Sequence, residues 1–349
     1  MENREIPLSA PPSSTPVPGV IRCLTEGCNL TANKAYLILC PFILDLFLLF
    51  GPKLRIDTIL MPVFDSMIIQ LRNSAPGTGL QQIEMMQEIL EQALSTVNLF
   101  GFLQTYPIGV SVLFGSAGSS TPLGTSAEIQ VTSLLLILGL TTLFMFFGVL
   151  SGTFYFSLTA AAVKGSEGFS WKRFGTQFLN VILLYIALII LIAVLAVPFS
   201  CLMTVVYLAI PFLYQILLVL LIMLGCWIMI PLFYIPHGIF VKDLDLPGAA
   251  VESFKMATWS SPITIRFILL SLVLSFGLDM IWTIPSQSSW LILVSIFGHS
   301  FVTTALLVSS FVLFRELDKW QKENRSYLEW RKANLRIKKI FKKEPESHD

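Results

Sequence analysis

Among the ionisable residues inside apolar runs, three stand out: Asp45, Asp279 and His299. At bilayer depth such side chains are costly, face a protein interior and mark ion or proton pathways or interhelical bonds. They lie six, five and nine residues from the outer ends of the runs that hold them, which at about 1.5 Å per residue is roughly 9, 7 and 14 Å deep. A histidine near carboxylates is suited to moving a proton or binding a cation. The alternative is structural: the two carboxylates cap helix ends or reach interfacial water, and His299 bonds a hydroxyl across a helix contact. Ser295, His299 and Thr303 share one helical face, as do Ser271, Ser275 and Asp279. The two stripes can face each other under either reading.

Other candidates are weaker. His237 sits between Pro236 and Gly238, where a broken helix end either exposes carbonyls to a ligand or simply terminates the helix. Gly148 and Gly152 are spaced as a helix-packing face, continued by Ala160. Cys23, Cys28, Cys40, Cys201 and Cys226 have neither metal-ligand nor redox-pair spacing. The sequence has no His-Glu-x-x-His, phosphate-binding glycine loop, dinucleotide fingerprint or Gly-x-Ser-x-Gly elbow. No catalytic residue, cofactor or metal is therefore expected. An intramembrane hydrolase pairing His299 with a serine is a third and minor reading.

The elements that must position these residues follow from composition. Of 349 residues, 54% are hydrophobic and 13% charged, and the mean hydropathy is +0.75, against about 25% charged in a soluble domain. The apolar residues fall in blocks, so the solvent for much of the chain is lipid. A span needs about 20 apolar residues, and that length predicts six: about 35–51, 131–163, 174–199, 207–241, 262–284 and 290–314. The expected fold class is all-α, an integral membrane bundle of about six transmembrane helices with cytoplasmic interfacial helices and a helical outer loop. The leader, 1–34, holds one interfacial helix. The membrane domain is 35–314, and a basic cytoplasmic tail runs over 315–349.

Arg22 and Lys34, Lys164 with Lys172 and Arg173, Lys242 with Lys255, and Arg315 with Lys319 all fall on one side of a six-span chain. The positive-inside rule makes that side cytoplasmic, with both termini there, in a bacterial plasma membrane. The outer loop, 52–130, carries two amphipathic patterns, Ile56 to Leu71 and Ile83 to Val97, which form either a cap or a surface hairpin. Gly115 to Gly124 reads as a mobile return segment. From Arg315 to Lys343 the tail has eleven basic and four acidic residues. Anionic inner-leaflet lipid is its expected partner and nucleic acid is not; protein partners are also expected. Asn29-Leu30-Thr31 and Asn324-Arg325-Ser326 fit the glycosylation pattern, but on the cytoplasmic side they stay silent.

Three stretches, Pro18 to Lys34, Lys164 to Arg173 and Leu246 to Ser261, each lead into a span. They suggest three units of interfacial helix plus hairpin. The run Leu246-Pro247-Gly248-Ala249-Ala250-Val251-Glu252-Ser253-Phe254-Lys255 resembles the cytoplasmic helix of multi-span domains related to the membrane domain of glycerophosphodiester phosphodiesterases. Leu39-Cys40-Pro41-Phe42-Ile43-Leu44-Asp45 with Gly51-Pro52 is similar to the first span of bacterial polytopic membrane proteins. The resemblance implies a bundle with interfacial helices and no catalytic activity, because the soluble phosphodiesterase domain has no counterpart here. The expected function is a non-enzymatic scaffold, accessory subunit or lipid-interacting module. The alternative is a transporter or channel using Asp45, Asp279 and His299.

Overall fold

The computed structural model describes residues 15–74, 80–115, 118–165, 170–327 and 329–330. The protein is an all-α membrane bundle. Five stretches are long and apolar enough to cross a membrane: α5 (Leu134–Lys164), α6 (Trp171–Ala209), α7 with α8 (Pro211–Phe233, Ile235–Val241), α9 (Leu246–Trp282) and α10 (Ile292–Glu323). Taken together, α1 (Val20–Asn33) and the limb Ala35–Phe50, a 3₁₀ turn leading into α2 (Leu39–Phe50), are also long and apolar enough, but a 92° bend separates them, the geometry of a broken span or a re-entrant loop. α10 occupies the centre, and Val308, Phe311, Val312, Leu313 and Phe314 on it are fully buried.

Helix ends follow local chemistry. Asp245 caps α9, its carboxylate accepting from the Gly248 N–H at 3.1 Å, with Pro247 in the first turn where its missing N–H costs nothing. α5 ends at Gly165, whose φ of 67° is the left-handed conformation that closes many helices.

The expected turn of the charge-free stretch is present at its far end, and one expected break is absent. The turn in the charge-free stretch falls at Ile210, and α6 runs unbroken through Pro198. α9 is likewise continuous through Pro262, so Leu246–Ser261 forms one unbroken helix with the span it leads into. In lipid every freed carbonyl needs a partner, so losing one hydrogen bond at a proline is cheaper than ending the helix. On α9 the buried residues Met256, Ser260, Thr264 and Phe267 keep one face across Pro262. The second expected interfacial helix has no counterpart among the described residues, since α6 begins at Trp171 and residues 166–169 lie outside them. Among the described residues α1 is the one of the three stretches that forms a helix distinct from the one that follows it.

The insertion between α2 and α5 contains the two expected helices, α3 (Asp57–Ser74) and α4 (Leu80–Thr96), packed on each other as a hairpin. Its base is fastened by Ile59, Leu60 and Val97 to a cluster of Ile56, Leu99, Val131 and Ile137, and by a short parallel pairing of β1 (Lys53–Arg55) with β4 (Glu128–Gln130). Val63, Met67, Met85 and Ile89 remain exposed, so the hairpin leaves much of its apolar surface uncovered. Two-residue strands β2 (Ser120–Thr121) and β3 (Gly124–Thr125) pair within the return segment, whose residues 116 and 117 lie outside the described ones.

Candidate functional site

After α4 the chain turns inward. A 3₁₀ helix over Leu99–Leu103 and the irregular stretch to Phe114 enter the bundle, with Leu99 and Ile108 fully buried and Val110, Val112 and Phe114 nearly so. A Cβ on Gly148 would stand 2.6 Å from the Leu103 oxygen, and one on Gly152 2.6 Å from Gly109 Cα. The small face of α5 therefore receives a loop backbone where the sequence predicts a helix. Gly152 is eighteen residues below Leu134, so the loop descends roughly 27 Å along α5 at about 1.5 Å per residue. Irregular backbone is tolerated at that depth only where protein supplies its hydrogen bonds.

The bundle does supply them. Tyr185 on α6 donates its hydroxyl to the Ile108 carbonyl at 2.7 Å and lies 3.3 Å from the Ile108 N–H, which donates back to it. Thr105 donates to the Ile108 carbonyl at 2.8 Å. Asp45 on α2 is fully buried, and its Oδ1 accepts from the backbone N–H groups of Leu113 at 2.7 Å and Phe114 at 3.2 Å. The helix position of Asp45 follows from the packing of Leu48 and Leu49 against Ile292 and Ile296 of α10.

Across α10, the Nδ1–H of His299 donates to Asp279 Oδ1 at 3.0 Å. Asp279 is also within electrostatic reach of Asp45 and of Tyr106 on the buried loop. The structure thus brings the three sequence candidates into one region. Several buried polar atoms there have no partner: Asp45 Oδ2, Ser271 Oγ, Trp282 Nε1, His299 Nε2 and Ser300 Oγ. Buried polar atoms are nearly always satisfied by protein, water or an ion. The arrangement can hold water, a proton or a small cation. Among the described residues it does not bring three His, Cys, Asp or Glu side chains together as a metal site.

No family model, curated protein or solved structure matches the chain.

His237 has no such open valence. It lies in fully buried α8, where its Nδ1–H donates to the Phe233 carbonyl at 3.1 Å and its Nε2 accepts from the Ser310 hydroxyl at 2.9 Å. Phe233, Tyr234, Phe311 and Phe314 surround the ring. Asn324, in the second glycosylation pattern, is almost fully buried and holds Thr15 through two hydrogen bonds.

Charges gather at the two ends of the bundle. At the basic end, Lys242 bonds Glu252 at 2.5 Å and Asp318 at 2.6 Å, joining α8, α9 and α10. Burial alone would depress the Lys242 ammonium, but hydrogen bonds and charge from Asp318 and Glu252 hold its pKa above the usual lysine value. Burial likewise opposes ionisation of Asp318, and Lys242 and Lys322 overcome it and hold its pKa low. Lys164 and Arg173 pair with Asp243, and Arg315 joins Glu26 on α1 to the Val163 carbonyl on α5. At the opposite end, fully buried Lys53 donates to the Leu48 and Leu49 carbonyls at the C-terminus of α2. Burial and the neighbouring Arg55 lower its pKa to about 8, against a smaller opposing effect of Glu128.

Sequence reading passed over the loop that Asp45 holds. A signal exists, since no charged residue occurs between Glu91 and Glu128. Arg266, inside span five, was likewise hidden by counting spans on average hydropathy.

Proposed function

We propose that this protein is a non-enzymatic scaffold or accessory subunit that docks partner helices within the membrane through the α6–α7 hairpin. The observation that carries the reading is exposure: between Leu184 and Tyr234 no described side chain is buried, although the stretch is almost wholly apolar. The most apolar part of α7 has no buried side chain at all, whereas half of that of central α10 is buried. Both termini are assigned to the cytoplasm, with the ion-paired basic end there and the α3–α4 hairpin outside, in a bacterial plasma membrane. The run Leu246 to Lys255, with its likeness to the membrane domain of glycerophosphodiester phosphodiesterases, forms the opening turns of α9 and contributes Glu252 to the ion cluster. That use is structural.

Photo-crosslinking amino acids at Leu202 and Val219, both exposed on the hairpin, test the role in native membranes. A discrete, saturable protein adduct at these sites, absent at exposed Leu136 on α5, is expected. Lipid adducts alone at all three positions would remove the reading.

A second reading has its own observation, the unpartnered buried atoms around Asp45, Asp279 and His299. It makes the region a proton or cation site. Reconstituted protein should then pass protons or sodium, and Asp279→Asn with His299→Gln should abolish that flux while leaving the fold intact. Loss of folding without any wild-type flux assigns the cluster to packing.

A further inference from the structure

α9 carries a single arginine in its apolar stretch, Arg266, which is exposed and has no ion pair or hydrogen bond among the described residues. The Gln321 to Met256 contact, 3.2 Å from Nε2 to Sδ, sets the register of antiparallel α9 and α10. Ten residues beyond Met256, Arg266 is level with about Phe311, short of Arg315 where the apolar part of α10 ends. Its Cα therefore lies roughly 6 Å inside that boundary at about 1.5 Å per residue. Side chains on a helix lean toward its N-terminus, which for α9 is the basic end, so the guanidinium reaches back toward the headgroup layer.

It lines an open groove of about 770 Å³. One wall is the strap Pro16–Ile21, pinned to the end of α10 because Thr15 donates its N–H to Asn324 at 2.7 Å and accepts from the Trp320 indole at 2.9 Å. Trp259 and Tyr327 lie toward the basic end, and Ile263 and Leu270 continue the Arg266 face of α9. From the basic end inward the α9 wall presents Trp259, Ile263, Arg266 and Leu270, so an aromatic ring stands nearest the interface, the cation lies deeper and Leu270 lies beyond it. That is the order of a phospholipid entering from the headgroup layer, with aromatic rings at the interface, a phosphate next and a chain beyond.

We propose that this groove is a binding site for an anionic glycerophospholipid of the leaflet at the basic end, its phosphate held by Arg266 and one acyl chain lying inward along Leu270. A lone guanidinium facing lipid needs an anion, and its planar fork matches two phosphate oxygens. An anionic headgroup is favoured over a zwitterionic one because Arg266 is the charged side chain in the groove lining and, among the described residues, no carboxylate there would receive a headgroup cation. The inference is independent of partner docking at α6–α7.

The test uses the full-length protein in detergent, delipidated and titrated with dioleoylphosphatidylglycerol, dioleoylphosphatidylcholine or inorganic phosphate, with bound lipid counted by native mass spectrometry and protection read by thermal unfolding. The expected result is retention of phosphatidylglycerol over phosphatidylcholine, no protection by inorganic phosphate, and a loss of roughly tenfold or more in affinity on Arg266→Gln. Leu270→Trp, which fills the chain path and leaves Arg266 in place, should also lower occupancy. Unchanged affinity in both variants, equal binding of the two lipids, or full protection by inorganic phosphate would overturn the proposal.

Discussion

Asp45 shows how much a single buried carboxylate can organise. One oxygen satisfies two backbone N–H groups of a loop that would otherwise have none at that depth. Asp45→Leu should leave both N–H groups unpaired, at about 1–3 kcal/mol each. Asp45→Asn keeps an acceptor and should lose less; the order of melting temperatures in detergent checks this, and equal loss in both would contradict it. Gly152→Leu attacks the same loop from the α5 side by steric conflict with Gly109, and should cost about 1–3 kcal/mol or more. Lys53 offers a pH test. Its folded pKa lies near 8, below the ordinary 10.5, so between those values the unfolded chain binds more protons and stability rises with pH. The penalty of burying the ammonium is fully present below about 8. Lys53→Met should flatten that part of the stability profile from pH 7 to 10, measured by thermal unfolding; an unchanged slope would assign it elsewhere.

The helices are held at the basic end by charge and deeper in by packing. Lys242 is the junction, since its ammonium reaches carboxylates on α9 and α10 from the end of α8. Its raised pKa and the lowered pKa of Asp318 fix the window of this clamp. The Asp318 contribution is lost as pH falls through its depressed folded pKa, and the Lys242 contribution as pH rises through its elevated one. The clamp is therefore intact throughout neutral pH. Lys242→Met should strand Glu252, leave Asp318 with Lys322 alone, and cost about 1–3 kcal/mol, whereas Lys255→Met, whose side chain is mostly exposed and 4.0 Å from Glu252, should cost under about 1 kcal/mol. Chemical denaturation of the two variants side by side measures the difference, and equal effects would refute the junction role.

For the whole molecule, the distribution of cations makes a topological prediction. In an otherwise cysteine-free chain, Leu123→Cys should label with a membrane-impermeant maleimide in intact cells, and Arg325→Cys only after the membrane is permeabilised. The reverse pattern would invert the assignment made from the positive-inside rule. Reporter positions Gly79 and Gly168 serve the same purpose, though both lie outside the described residues, as does the basic tail from Arg331.

The sequence by itself determined that the protein is an all-α membrane bundle, because long charge-free runs have one stable form in lipid. It also determined the two helices of the insertion, because Ile59, Val63 and Met67 follow helical spacing whatever they pack against. Only the tertiary structure decided that Gly148 and Gly152 receive a loop, that Asp45 caps that loop, and that Asp279 bonds His299. It also decided that the helices continue through Pro198 and Pro262. Periodicity reports which side of a helix is apolar, but the backbone that fills the space opposite comes from far along the chain. Lipid and protein interior are both apolar solvents, so hydropathy alone does not tell a face that meets one from a face that meets the other.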